Sequence, residues 1–291
     1  MIFRNGFFLF LRMALQKPIG FFDSGYGGLT VLKEVQKVMP EYDYVYLGDN
    51  ARAPYGTRSF EVVYEYTWNG VQELFEKGCD LVVLACNTAS AKALRKIQQE
   101  QLVHYPEKRV LGVIRPSAEK IGAFSSTNEI VVLGTEGTIT SNTYIEEFAR
   151  FSPQLKVHQY ACPLWVPLIE SKEYKTAAGI QFIKKDVVEI MEAFPNIDVL
   201  LLGCTHYPLL QDYISSLLPK GVKVISQGEI VAQSLQDYLK RHQWIDKKIS
   251  KNHTSLYYTT EESSIFEDHA SAIIGVTLKA THIKIKHHGT Y

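Results

Sequence analysis

Apolar positions fall into two alternating patterns along the chain. Short runs rich in Val, Ile and Leu recur at Ile19–Phe22, Tyr44–Leu47, Leu81–Ala85, Val110–Ile114, Ile130–Leu133, Val199–Leu202 and Val222–Ile225. Runs this short and this continuously apolar, several of them closed by Gly or a polar loop, predict strands buried on both faces. Between them, helical spacing of apolar residues covers Leu29–Val38, Phe60–Lys77, Ser90–Gln101, Ser141–Phe151, Thr176–Ala193, Pro208–Leu218 and Glu229–His242. Pro40 closes the first of these helices and Gly78 follows the second, both ordinary stop signals. Strands alternating with helices predict an α/β fold with parallel sheets covered on both sides. Near the end, Ile283 and Ile285 alternate with polar residues within His282–Tyr291, which predicts a short edge strand.

The pattern repeats. Asp80-Leu-Val-Val-Leu-Ala-Cys86 matches Asp198-Val-Leu-Leu-Leu-Gly-Cys204 in residue class at every position but Ala/Gly. Upstream, Ile19-Gly-Phe-Phe-Asp23-Ser-Gly25 parallels Val131-Val-Leu-Gly-Thr135-Glu-Gly137. Asp23 lies 63 residues before Cys86, and Thr135 lies 69 before Cys204. Two similar α/β domains related by an approximate two-fold axis follow, with a ligand cleft between them. Ligands of open α/β sheets bind outside the carboxyl ends of the strands. Cys86 and Cys204 each follow directly on a strand, so the repeat puts the two thiols on opposite walls of one cleft.

Composition narrows the function. The chain has 291 residues, 46% of them hydrophobic and 21% charged, which fits two folded domains and excludes a disordered chain,. Lys plus Arg equals Asp plus Glu at 31 each, and this neutrality argues against a nucleic-acid partner. The four cysteines, Cys79, Cys86, Cys162 and Cys204, form no Cys-x-x-Cys pair. A chain of this size folds without disulfides, so a reduced, cytoplasmic setting is expected. Residues 1–16 hold one apolar run, Phe7 to Leu11, between Arg4 and Arg12. That run is short of a signal peptide or a membrane span, and the segment is read as a flexible extension begun at an upstream start codon. Its rival is a short export or membrane-surface segment.

Three loops carry chemistry. Asp23-Ser-Gly-Tyr-Gly-Gly28 is a Gly-rich turn whose N–H groups suit an anion such as a carboxylate. It lacks both the P-loop and the dinucleotide pattern, and on its own it equally fits a helix or turn cap at Asp23. In Cys86-Asn-Thr-Ala-Ser90 a thiol opens a helix, where the dipole favours thiolate, and Asn87 and Thr88 add donors; a buried core cysteine is the plain alternative. Cys204-Thr-His-Tyr-Pro208 repeats the arrangement, with Thr205 in place of Asn87 and His206 two residues past the thiol, fit to carry a proton or to polarise Cys204. Cys79 and Cys162 lack such context and read as core thiols. His287-His288 has no partners at ligand spacing, and His104 and His242 lie on helix ends, where a solvated role is expected, so no metal site is expected,. A symmetric thiol pair suits removal of a proton beside a carboxylate and its return to the opposite face, which inverts the carbon. That reaction needs no cofactor, and none is expected.

With Asp23-Ser-Gly-x-Gly-Gly28, Pro54-Tyr-Gly56, Ala85-Cys-Asn-Thr-Ala-Ser90, Gly134-Thr-x-Gly-Thr138 and Gly203-Cys-Thr-His-Tyr-Pro208 in order, the chain resembles the glutamate racemases of the aspartate/glutamate racemase superfamily over roughly residues 18–285. The resemblance implies cofactor-independent interconversion of L- and D-glutamate for peptidoglycan. It implies a discontinuous first domain, 17–110 plus 226–291, and a second, 111–225, inserted in it. It implies Cys86 and Cys204 as the proton-transfer residues, Asp23 assisting Cys86, and His206 and Glu170 beside Cys204. Ser24, Tyr55, Gly56, Asn87, Thr88, Thr135, Thr138 and Thr205, with Asp23 and His206, are the implied substrate-binding residues. Glutamate is the expected small-molecule partner, with no nucleic acid and no membrane, and a homodimer is compatible. Two residues depart from the pattern. Tyr26 stands where Val is common, which implies a differently packed anion loop. Arg115 stands where Glu is more usual, at a hinge or interface contact. A relative acting on aspartate, a hydantoin or a maleate-type diacid would share the thiol pair. A non-catalytic binding protein on this scaffold would show the loss of a thiol, and both are present.

Overall fold

The computed structural model describes residues 17–285. The expected extension at 1–16 and the end of the chain from 286 lie outside the described residues. Among the described residues, ten strands build two sheets, and every strand pairing is parallel. The first sheet contains β1 (Ile19–Asp23), β2 (Tyr44–Gly48), β3 (Leu81–Leu84), β4 (Arg109–Gly112), β9 (Ser255–Thr259) and β10 (Ala280–His282), in the order β10-β9-β2-β1-β3-β4. The second contains β5 (Glu129–Gly134), β6 (Lys156–Ala161), β7 (Val199–Leu202) and β8 (Lys223–Ser226), in the order β6-β5-β7-β8.

The strand order carries the repeat. β2-β1-β3-β4 in the first sheet corresponds to β6-β5-β7-β8 in the second, so Asp23 and Thr135 end equivalent strands, and Cys86 and Cys204 follow equivalent strands. The chain passes from one sheet to the other after Gly112 and returns after Ser226. A boundary at 110/111 therefore falls inside β4, and one at 225/226 falls inside β8.

Both faces of each sheet are covered, because successive side chains of a strand point to opposite sides. Phe21, Tyr44, Tyr46, Leu81 and Val83 face the helices Leu29–Val38, Gly228–Arg241 and Ser263–Ile274. Phe22, Val45, Leu47, Val82 and Leu84 face Phe60–Glu76 and the helical stretch that begins at Asn87. In the second sheet Val131, Leu133, Leu200 and Leu202 meet Trp165–Glu170 and Ala177–Ala193. Ile130, Val132, Val199 and Leu201 meet Ile114–Lys120 and Thr143–Phe151. Cys79 and Cys162 are fully buried in these cores, and all four cysteines are free thiols.

Several elements depart from the sequence expectation. The apolar run Val110–Ile114 overshoots its strand: Val113 and Ile114 leave the sheet, and Ile114–Lys120 is helical. The helix expected at Ser141–Phe151 starts at Thr143 and is preceded by a separate short helix, Glu136–Thr140, with Asn142 between them at positive φ, a conformation Asn tolerates. The edge strand near the end of the chain is Ala280–His282, one turn earlier than the Ile283/Ile285 alternation implied. Arg115 is on the surface, paired with Glu119 and lying over Phe151.

Candidate active site

The carboxyl ends of β1, β2, β3, β5, β6 and β7 meet around a cavity of about 70 Å³. Ser24, Tyr55, Gly56, Cys86, Asn87, Thr88, Thr135, Cys204, Thr205 and His206 all line it. Of the residues singled out from sequence as site candidates, two are not in the lining: Thr138, whose hydroxyl bonds to those of Thr88 and Thr135, and Asp23. The Asp23 carboxylate is fully buried behind the wall, where it accepts from the Gly25 N–H at 3.0 Å and from Thr205 Oγ1 at 3.4 Å. The helix at Leu29 has Gly28 at its N-cap, and Asp23 holds its own turn through Gly25 and the opposite half through Thr205. Burial raises its pKa, against the lowering effect of His206 and of the Gly28 and Gly25 N–H groups,.

The two thiols have different surroundings. Cys86 caps the short helix Asn87–Lys92, its Sγ accepting from the Ala89 N–H at 3.4 Å, and Ser24 Oγ lies 3.5 Å from the same sulfur. Burial and the charge of Asp23 push the Cys86 thiol up to about 12, so it carries its proton at neutral pH. Cys204 Sγ lies 4.0 Å from His206 Nδ1, and His206 Nε2 is 3.1 Å from Glu170 Oε1. Burial works against a charged His206, yet hydrogen bonding to Cys204 and Glu170 prevails and raises it to about 10,. The thiols are near enough for a charge on Cys204 to act on Cys86.

Neutral donors dominate the rest of the wall. The hydroxyls of Thr88, Thr135 and Thr138 form a triangle, 2.9 Å, 3.2 Å and 3.0 Å apart, that joins the two halves. The Gly56 carbonyl accepts from the Gly137 N–H at 2.8 Å, a second bond across the cleft. Among the described residues no Lys or Arg lines the cavity, so a carboxylate held by them meets hydroxyl, amide and N–H donors. Tyr26, in the loop after β1, is turned away from the cavity. Its ring stacks on His269 at 4.5 Å and its hydroxyl donates to Glu261 Oε2 at 2.7 Å, tying the loop to the C-terminal segment.

A family model for Asp/Glu/Hydantoin racemase matches residues 30–235. The chain belongs to that family. Within this racemase family it is 37% identical over 270 residues to the glutamate racemase of Streptococcus suis, an alignment covering 92% of this chain and 99% of that one. A glutamate racemase isoform from Bacillus anthracis superposes with a TM-score of 0.84 at 35% identity, covering 93% of this chain and 98% of that one. The glutamate racemase of Francisella tularensis, solved in complex with D-glutamate, gives 0.79 at 27% identity, covering 93% and 98%.

The racemase cavity also contains residues the sequence reading passed over. Glu136, Pro163, Val166 and Pro167 complete its second-half wall. Behind the first-half wall, Asp49 is fully buried and accepts from the Tyr55 hydroxyl, from Arg52 Nε at 2.7 Å and from Thr260 Oγ1 at 3.0 Å. Its signal was present: like Asp23, it is an acidic residue at the end of a strand.

The His206 pair gives a pH prediction. Activity that needs the imidazolium persists up to about pH 10 and falls as the proton leaves above it,. Removing a partner that raises this pKa moves the fall to lower pH. Glu170→Gln is expected to shift the alkaline limb of kcat/KM downward, read from a pH–rate profile; an unmoved limb contradicts the pairing.

Proposed function

We infer that this chain is a glutamate racemase that interconverts L- and D-glutamate by a two-base thiol mechanism and supplies the D enantiomer to peptidoglycan synthesis. One observation carries the mechanism: two thiols follow equivalent strands of two equivalent sheets and line a single cavity, each with its own proton partners. A thiolate on one side takes the α-proton. The C–H bond breaks, an S–H bond forms, and the electron pair spreads from the α-carbon into the neighbouring carboxylate. The thiol on the other side gives its proton to the opposite face, which forms a new C–H bond and leaves a thiolate there. The roles exchange with the enantiomer bound.

The asymmetric partners fit this exchange. Cys86, protonated at neutral pH, is equipped to act as the acid, and Ser24 and the Ala89 N–H are placed to stabilise the thiolate left behind. On the other side His206, held by Glu170, is the proton partner of Cys204. Asn87, Thr88, Thr135 and Thr205 are the expected carboxylate donors, and Tyr55 and Gly56 the lip of the site. Asp23 acts from behind the wall through Thr205 and the Gly25 turn. The four free thiols support a cytoplasmic setting,, and among the described residues no helix is long and apolar enough to cross a membrane.

The test is chiral chromatography of L-glutamate and, in parallel, L-aspartate after incubation with pure protein. Glutamate is expected to reach an equimolar mixture from either enantiomer, with aspartate unchanged. Faster racemisation of aspartate would move the assignment to another substrate of the same family.

A further inference from the structure

We propose that Gln227 is a positioning residue of the reaction, which orients the Asn87 amide toward substrate only while the two halves are docked; this rests on the racemase reading of the cavity. Gln227 is buried and follows β8, where the chain returns to the first sheet. Asn87, beside Cys86, donates from Nδ2 to Gln227 Oε1 at 2.7 Å. Gln227 Nε2 donates to the Tyr144 hydroxyl at 2.8 Å, and that hydroxyl donates to Asn87 Oδ1 at 2.7 Å. The three side chains thus close a ring in which each donates to the next and accepts from the last. The second Gln227 N–H is directed to Ser117 Oγ at 2.7 Å, with the Val113 carbonyl at 3.1 Å, and Ser117 itself donates to that carbonyl at 3.1 Å.

The ring fixes direction as well as place. A turned-over Asn87 amide would set a donor against the Tyr144 donor and an acceptor against the Gln227 acceptor, so the two bonds permit one orientation. In that orientation one Nδ2 hydrogen is spent on Gln227, and the second is left for the cavity that Asn87 lines.

The partners come from separate parts of the chain. Asn87 belongs to the first half, and Tyr144 lies on the helix Thr143–Phe151 of the second half. Val113 and Ser117 stand at the outward crossing between the sheets, and Gln227 stands at the return crossing. One buried amide therefore ties both crossings to the residue next to a catalytic thiol. A rotation of the halves that parts Tyr144 from Asn87 would release the amide. Docking and substrate recognition are coupled through it.

The experiment is a double-mutant cycle between Gln227→Met and Asn87→Ala, read as kcat and KM for glutamate, with folding followed by thermal melting. Each single variant is expected to raise KM about ten-fold with a smaller change in kcat, as loss of a hydrogen bond to a charged substrate group would. In the Asn87→Ala background, Gln227→Met is expected to add nothing to KM, because its effect runs through Asn87. An equal KM increase from Gln227→Met in both backgrounds would overturn the proposal and leave a packing role. If Gln227→Met does not fold, Tyr144→Phe breaks the ring from its other side, and the cycle with Asn87→Ala reads the same coupling. A wild-type chain that fails to racemise glutamate would overturn the functional reading; an active wild type with additive variants would overturn the Gln227 role alone.

Discussion

Cys86→Ser and Cys204→Ser are each expected to lower kcat/KM for racemisation by at least about a thousand-fold, toward the upper end of what one positioned acid–base group contributes. Serine keeps the shape of the side chain, so packing changes little at either buried position. Its hydroxyl is a weak proton-transfer group unless a separate base activates it. Both directions must fall together. L- and D-glutamate have equal free energies in water, so the equilibrium constant is one, and the kcat/KM values for the two directions remain equal in every variant. The loss of either thiol removes the base for one enantiomer and the acid for the other. Near-normal turnover in either variant would contradict a two-base site. Chiral analysis of both enantiomers at matched melting temperature is the measurement.

The second large effect comes from a residue with no reactive group. A Cβ added at Gly27 would press on Thr205 Oγ1 and lie 2.6 Å from His206 Nδ1. Neither neighbour is free to turn away. Thr205 donates to Asp23, while its backbone carbonyl accepts from Thr30 Oγ1 at 3.0 Å, and His206 is held by Glu170. The strain therefore falls on the approach of the two halves at the Cys204 loop. A misplacement of about 1 Å costs roughly a hundred-fold in rate, whereas overpacking costs about 1–3 kcal/mol of stability. Gly27→Ala is expected to fold, to melt at a moderately lower temperature, and to lose about a hundred-fold in kcat/KM. Turnover within a few-fold of wild type would show that the loops need not meet this closely.

Central strands were legible because burial on both faces demands continuous apolar runs. β1, β2, β3, β5 and β7 announce themselves this way, and the edges β4 and β8 carry enough Val, Ile and Leu to be found as well. β6, Lys-Val-His-Gln-Tyr-Ala, does not, since it is the edge of the second sheet and has only half-buried or exposed positions. β9 is flanked by β10 and β2, but Ser255, Leu256 and Tyr257 are half-exposed or exposed, and the helix Ser263–Ile274 buries only Phe266 and Ala270 deeply, so neither carries a continuous apolar pattern. The site was more legible than the fold. Cys86 and Cys204 stand out because the repeat places them at matched strand ends, and the hydroxyl and amide donors follow in the same loops. Tyr144 and Gln227 did not stand out. Their work depends on contacts between segments tens to more than a hundred residues apart, and a single buried polar residue gives no local pattern. The partners of Tyr26, Glu261 and His269, were visible only once the C-terminal segment was placed.

The central claim, that two thiols act from opposite faces, is tested most directly by isotope incorporation at low conversion. In deuterated water, L-glutamate is expected to yield D-glutamate carrying solvent deuterium at the α-carbon, while recovered L-glutamate stays almost entirely protiated. The proton removed remains on one sulfur, and the one delivered comes from the other. Equal deuterium in recovered substrate and product would mean that a single base serves both faces, and would contradict the account.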